Sequence, residues 1–135
     1  MQRRGFCGAL LAVPVALIAG DAFAGSYLNR AALLLDTSRA ERDMVLPRTH
    51  DRELLRVVHE VAQARARFAR RMEVPKKVVG AHPHLLLVLE NSERAYAAAL
   101  DDGHQKFLEH IFRARTEDHV FRTLITKMGY TLPNT

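Results

Sequence analysis

The sequence contains seven histidines, whose side chains could bind a metal ion or a haem. A neutral imidazole binds zinc, copper or iron, so the set suggests a metal or haem site. The spacing does not support one, since no two histidines are three or four residues apart and no Glu-x-x-His pair, as found in di-iron bundles, occurs. His82 and His84 flank Pro83 and could chelate a surface metal, although a loop at a helix start explains them equally well. We therefore predict no metal ligand among His50, His59, His82, His84, His104, His110 and His119.

Motifs for nucleophilic or phosphoryl-transfer catalysis are missing from the sequence. It has no glycine-rich phosphate loop and no Gly-x-Ser-x-Gly motif. Ser38, Glu41 and Asp43 could join Ser92 in a cleft, but one polar face is normal for a helix of a globular protein. We therefore expect no catalytic residue and no cofactor.

Basic residues are concentrated between Arg65 and Lys77. Such a patch could contact an unknown protein or an anionic component of the cell envelope. The alternative interpretation is a solvated helix end, whose cations stabilise the negative end of the helix dipole. The candidate contact surface consists of Arg67, Arg70, Arg71, Lys76 and Lys77.

Four helices are predicted to position these residues, at about 26–44, 50–73, 82–100 and 104–128. Thr49 is a good cap for the second helix, and Gly129 is a typical residue to close the fourth. Pro47, Pro75 and Pro83 fall where the apolar periodicity stops. Apolar spacing of three and four with short links favours shallow crossing angles and antiparallel neighbours. The predicted fold class is an all-α, antiparallel up-down-up-down four-helix bundle, preceded by a cleavable signal peptide.

Arg65 and Asp118 interrupt the apolar stripes of the second and fourth predicted helices. In the predicted bundle they lie at similar heights on diagonal helices, so we hypothesise an ion pair near the bundle axis, joined by Glu117 or His119. A buried lone charge is very costly, whereas a paired charge is tolerable. The alternative turns Arg65 outward and leaves Asp118 at the bundle edge. The predicted buried stripes are Leu54, Val58, Val61, Phe68 and Met72 in the second helix, Leu85, Leu89, Ser92, Tyr96 and Ala99 in the third, and Phe107, Ile111, Ala114, Phe121, Ile125 and Met128 in the fourth.

Residues 1–24 have the three-part pattern of a signal peptide. Arg3 and Arg4 form a basic start, an apolar run covers residues 6–19, and small residues at Ala22 and Ala24 suit signal peptidase, so we predict cleavage after Ala24. The run is shorter than the roughly 20 residues that span a bilayer. We therefore expect no stable transmembrane anchor after cleavage, and a location in the bacterial periplasm or outside the cell.

The predicted mature domain, residues 25–135, lacks cysteine and carries only a small net charge. Cleavage removes Cys7, the only cysteine, so disulfides, thiolate ligands and a cysteine nucleophile are excluded. Taking Arg3, Arg4 and Asp21 from the 20 basic and 15 acidic residues leaves 18 and 14, a net charge of +4. Because this excess is mild and the protein is exported, we expect no nucleic-acid partner.

These observations favour an exported, non-enzymatic helical bundle that acts by contact, as a binding, envelope accessory or stress-related protein. The alternative is a haem-binding or metal-binding bundle that uses histidines. Covalent haem attachment is excluded by the missing Cys-x-x-Cys-His. In length, signal and predicted topology the chain resembles cytochrome b562. This resemblance implies a haem that is held by a methionine on the first helix and a histidine on the last. Here Met44 and His119 lie at different heights, so the resemblance assigns no ligand.

Overall fold

The computed structural model of the protein describes the backbone of residues 2–133 and the side chains of residues 23–133. Within that part of the chain the fold is all-α, with four helices and no strand, which is consistent with a four-helix bundle. None of the described helices combines the length and the apolar character needed to cross a membrane. The helices are α1 (Gln2–Val45), α2 (Arg52–Arg70), α3 (His82–Leu100) and α4 (His104–Lys127), with short 3-10 turns at Leu46–Arg48 and Lys76–Val78.

The predicted limits of the last three helices are confirmed to within three residues. The first predicted helix, residues 26–44, lies inside the longer α1, which begins at Gln2. Residues 1–22 of the predicted signal segment lie outside the residues whose side chains are described. Cleavage after Ala24 therefore stays a prediction.

Short polar segments end the helices where the sequence predicts turns. The cap of α2 is Asp51 rather than Thr49, because the Asp51 carboxylate accepts a hydrogen bond of 3.0 Å from the Leu54 N–H. Gly129 adopts a φ of 88° beyond the end of α4, a conformation that glycine reaches without steric cost. With Gly129 in this position, the Tyr130 N–H donates to the Ile125 carbonyl at 3.1 Å, which completes a Schellman motif.

The buried face of α2 differs from the predicted one. Val61 and Phe68 are exposed, whereas the buried face runs through Leu55, Val58, Ala62, Ala66 and Ala69. Both stripes have helical spacing, but alanine side chains let α2 pack closely on its neighbours, and the larger apolar residues are left outside. The predicted stripe of α3 is confirmed by the burial of Leu85, Leu89, Ser92, Tyr96 and Ala99, and that of α4 by the burial of Phe107, Ile111, Ala114, Phe121 and Ile125. Met128, the last residue of the predicted α4 stripe, is half-buried, and Asp118, which interrupts that stripe, is buried.

In the part of the chain whose side chains are described, the core consists of two hydrophobic clusters with polar side chains between them. One cluster contains Leu35, Leu89 and Phe121, and the other contains Val45, Ala95 and Ile111. Along α1, α3 and α4, the chain passes from one cluster to the other through buried polar residues. We call this group the polar layer, and its members are Ser38, Arg42, Ser92 and Asp118.

Hydrogen bonds between helices set the heights at which they meet. The middle of α1 contacts the beginning of α3 through Tyr27 and His82, and the two helices meet again at Ser38 and Ser92. The start of α2 contacts the end of α3, where Arg52 donates to the Leu100 carbonyl at 2.7 Å. The remaining contacts that define these heights are His84 with Glu117, Asn91 with His110, and Arg39 with Asp118.

Candidate functional site

Arg42 is the central residue of the polar layer, and its side chain is only 1% exposed. Its Nη1 donates to Ser38 Oγ at 2.7 Å, one turn earlier on α1, and to Ser92 Oγ at 3.0 Å on α3. Ser92 Oγ also donates to the Val88 carbonyl at 2.8 Å. Because that bond uses the only proton of Ser92, Ser38 must be the donor in the 3.2 Å contact between the two hydroxyls.

Ser38 and Ser92 therefore meet inside the protein, but Glu41 and Asp43 do not join the two hydroxyls. Glu41 accepts a hydrogen bond from Arg65 on α2, and Asp43 lies near the surface beside Arg115. Among the described residues, neither hydroxyl has a carboxylate or an imidazole as its hydrogen-bond partner. The arrangement orients Arg42 and contains no base that could activate a serine.

Asp118 supplies the negative charge of the polar layer and is 2% exposed. Its Oδ1 accepts hydrogen bonds from Arg39 on α1 at 3.0 Å and from Arg122 on α4. Its Oδ2 lies 3.9 Å from Arg42 Nη2, within ion-pair range but beyond a hydrogen bond. Burial lowers the pKa of Arg122, but its hydrogen bonds to Asp118 and Asp36 more than offset this, so the pKa is raised.

The prediction of a direct Arg65–Asp118 ion pair was wrong. Arg65 Nη1 donates to Glu41 Oε1 at 2.8 Å, so both charges have other partners. The physical reason is the rotation of α2, whose buried face passes through its alanines and leaves Arg65 on the flank beside α1. Glu117 and His119, the proposed intermediaries, do not bridge the two residues. The Glu117 carboxylate contacts the imidazole of His84 on α3, and His119 lies exposed on α4.

Three buried polar atoms of this layer have no hydrogen-bond partner among the described residues: Arg42 Nε and Nη2 and Asp118 Oδ2. Burial lowers the pKa of the Arg42 guanidinium, while the Tyr96 and Asp118 side chains act in the opposite direction. Burial, reinforced by the charge of Glu41, raises the pKa of Tyr96, which keeps its phenol protonated. Unused donors and an unused acceptor therefore lie close together inside the protein.

A cleft of about 280 Å³ between α1 and α4 reaches this group, and we call it the charged cleft. Sequence reasoning identified Asp118 but missed Arg42. The available signal was its position on α1, four residues after Ser38 and seven after Leu35, on the stripe that faces the core. The residues that line the charged cleft are Arg39, Arg42, Asp43, Arg115, Asp118, His119 and Arg122.

A second concave surface, of about 530 Å³, lies at the end of α2, and we call it the basic groove. Its walls carry Arg30 of α1, Arg67 of α2 and Arg71 directly after the end of α2, around a Phe68 side chain that is 52% exposed. None of these three arginines makes an ion pair with any described residue. The groove is completed by Ala64, Met72 and Glu73.

The basic groove contains part of the predicted contact surface. Arg67 and Arg71 line it, while Arg70 donates to Glu90 on α3 at 3.0 Å and 3.2 Å. Lys76 and Lys77 are exposed on the following 3-10 turn and do not line the groove. The structure thus adds Arg30 and Phe68 to the surface that the sequence pointed to.

The histidines are distributed as separate contacts. His82 is buried, and its Nε2 donates to the Ala69 carbonyl at 3.0 Å while its Nδ1 accepts from the Tyr27 hydroxyl at 2.8 Å. Both ring nitrogens are occupied, so His82 has none left to chelate a metal with His84. In the part of the chain whose side chains are described, no three His, Cys, Asp or Glu residues are grouped to hold a metal ion.

Comparison with known proteins adds no relative to this description. No protein-family model matches the chain, and neither the curated proteins nor the solved structures give a significant match. A function must therefore be inferred from the chain's own surfaces, above all the basic groove and the charged cleft.

Proposed function

We propose that this chain is an exported, non-enzymatic helical-bundle protein that binds an acidic polypeptide through the basic groove. The observation that carries the proposal is the combination of three arginines without ion-pair partners among the described residues and an exposed phenylalanine in one concave surface. An acidic partner matches the charge of Arg30, Arg67 and Arg71, since a guanidinium donates two parallel hydrogen bonds to a carboxylate.

The apolar part of the groove argues for a polypeptide rather than a bare anion. Phe68 and Met72 offer apolar area next to the charges, and exposed apolar surface with a polar rim is typical of sites that bind other proteins. A membrane surface is broad and nearly flat, whereas the groove lies between two helices and admits a narrow segment. The expected ligand is therefore an acidic segment with at least one apolar side chain.

Binding of a defined peptide tests this proposal. The probe is a fluorescein-labelled peptide of glutamate and leucine, measured by fluorescence anisotropy against a matched peptide of glutamine and leucine. We expect binding of the acidic peptide only, weakening as salt is raised because the exposed charges are screened. Binding to vesicles of anionic lipid without binding to the acidic peptide would contradict the polypeptide proposal.

Variants of the groove locate the binding. Phe68→Ala and the double substitution Arg67→Gln/Arg71→Gln should each weaken the affinity about tenfold, which corresponds to about 1.4 kcal/mol. The matched control is Arg56→Gln, an exposed arginine on the same side of α2, about 16 Å earlier at 1.5 Å per residue. Equal effects of the control and the groove variants would remove the groove from the binding site.

Export is supported by the signal pattern of residues 1–24 and is tested separately. We infer that the mature protein begins at Gly25 and works in the bacterial periplasm or outside the cell. Expression of the full chain followed by N-terminal sequencing of the exported product should give Gly25 as the first residue. A product that retains residues 1–24 would contradict this part of the proposal.

We also infer that the four helices alternate in direction, up-down-up-down. Supporting contacts are Arg52 at the start of α2 with Leu100 at the end of α3, and Arg70 near the end of α2 with Glu90 further back on α3. A cross-link tests the arrangement, because the predicted mature domain has no cysteine of its own. A short bismaleimide should link Arg52→Cys to Asp102→Cys, whose side chains meet at one end of the bundle, but not Arg52→Cys to His84→Cys, about 27 Å away along α3 at 1.5 Å per residue.

A further inference from the structure

The charged cleft contains hydrogen-bonding atoms that the protein itself does not use. Arg42 Nε and Nη2 and Asp118 Oδ2 are buried and have no hydrogen-bond partner among the described residues. Only 3.9 Å separates Nη2 from Oδ2. Because a buried polar atom without a hydrogen bond is costly, such atoms normally have a partner from another source. That partner must offer an acceptor to Arg42 and a donor to Asp118 at neighbouring points.

The charges that line the cleft select the partner further. Four guanidinium groups and two carboxylates line a space of about 280 Å³, and Arg122 also pairs with Asp36 outside this lining, which leaves an excess of one positive charge. A small anion offsets this excess and fits the space, and arginine forks suit tetrahedral oxyanions. The partner is therefore a small anion that also carries a proton.

We propose that the charged cleft binds inorganic phosphate as hydrogen phosphate. One phosphate oxygen accepts hydrogen bonds from Arg42, and the P–OH group donates to Asp118 Oδ2. Arg39 and Arg115 stand at the exposed side of the cleft and add positive charge for the remaining oxygens. Each unused atom of Arg42 and Asp118 thereby gains a partner of the right kind.

The buried carboxylate makes the site selective among similar anions. Sulfate has no proton at neutral pH, so it would place an oxygen lone pair against Asp118 Oδ2. A phosphate monoester above its second pKa of about 6 has also lost its P–OH group. Both anions leave Asp118 without a donor and add like-charge repulsion, which is how a site rejects a near-isostere.

This site is independent of the basic groove. The two concave surfaces share no lining residue, and the groove borders α1 and α2 whereas the cleft borders α1 and α4. Failure of the peptide experiment leaves the phosphate proposal standing, and the reverse also holds.

Isothermal titration calorimetry of the purified protein tests the proposal, with inorganic phosphate at about pH 7.5 as the probe. Sodium sulfate and methyl phosphate at equal ionic strength are the comparison anions. We expect saturable phosphate binding at one site per chain, at least tenfold tighter than either comparison anion. Absence of binding at 10 mM phosphate, or equal affinity for phosphate and sulfate, would overturn the proposal and leave ordered water as the partner of Arg42.

Two substitutions test the roles of the residues. Asp118→Asn should reduce the preference for phosphate over sulfate to less than threefold, because an amide can donate to an unprotonated oxyanion. Arg115→Gln, at the exposed side, should weaken phosphate binding three- to tenfold, whereas Arg113→Gln on the same helix, outside the cleft, should leave it unchanged. A retained preference in a folded Asp118→Asn protein, or equal effects at positions 113 and 115, would refute the assignment. If Asp118→Asn does not fold by circular dichroism, the arginine pair decides.

Discussion

Replacing Asp118 by alanine removes the carboxylate that faces the buried guanidinium of Arg42. Two unit charges 3.9 Å apart interact by about 4 kcal/mol at an effective dielectric constant of about 20. Arg39, 52% exposed at its side chain, can turn to water when Asp118 is lost and adds little. Arg42 cannot, because it is enclosed by the core. We expect the free energy of unfolding to fall by about 3–5 kcal/mol, the usual cost of breaking a buried pair.

A double-mutant cycle separates this charge effect from loss of packing. Arg42→Met should be costly alone, but in the Asp118→Ala background it removes an unpaired buried charge, so the double variant should lose at least about 2 kcal/mol less than the sum of the single losses. The assay is urea unfolding followed by circular dichroism, in phosphate-free buffer so that ligand binding does not contribute. Asp43→Ala, at the exposed side of the same cleft, is the control and should cost less than about 0.5 kcal/mol. Additive single effects, or a loss below about 1 kcal/mol for Asp118→Ala, would refute the reasoning.

Three further outcomes are expected. Burial lowers the pKa of His82, although its hydrogen bond to the Ala69 carbonyl acts in the opposite direction. Unfolding therefore takes up a proton, and stability is lost as the pH falls below about 6.5. Urea midpoints measured between pH 5 and 8 should depend less on pH in His82→Gln than in the unchanged protein. Gly129→Ala should destabilise by about 1 kcal/mol because φ is 88°, whereas Gly80→Ala should be near neutral in thermal unfolding; equal effects would contradict the left-handed cap. The purified protein should be colourless and metal-free by visible absorption and elemental analysis, and a Soret band or stoichiometric metal would reinstate the haem or metal alternative.

The helices and two of their buried faces followed from the spacing of large residues. In α3 and α4 the bulky apolar side chains of the regular stripe are also buried, although Leu108 and Phe112, off the stripe of α4, are exposed. Periodicity therefore identified both the core and Asp118 as a polar residue within it. In α2 the residues that pack are mostly alanines, which contribute little to an apolar pattern. The larger Val61 and Phe68 dominated the pattern but lie outside. Where helices pack closely through small side chains, the largest apolar residues need not be the buried ones.

The candidate sites were partly accessible from the sequence for a related reason. Arg67 and Arg71 were identified from charge density, but Arg30 comes from another helix, and only the fold brings it to the same groove. Arg42 sits on a core stripe of α1, and its burial depends on Ser92 from α3. Partners separated by 50 residues along the chain leave no local signal of their pairing.

The polar layer also determines which alignments of the helices are permitted. If α1 slid along α3 by one helical turn, about 5.4 Å, Arg42 and Ser38 would both move away from Ser92, and Arg42 would enter an aliphatic environment. Purely aliphatic interiors tolerate such displacements at small cost, since one leucine replaces another. A buried guanidinium does not tolerate such a displacement, because its oxygen partners occupy fixed positions, so it specifies a single register of the helices. The polar layer thereby fixes the alignment of the two hydrophobic clusters, and a bundle with shifted helices is less stable than the native one.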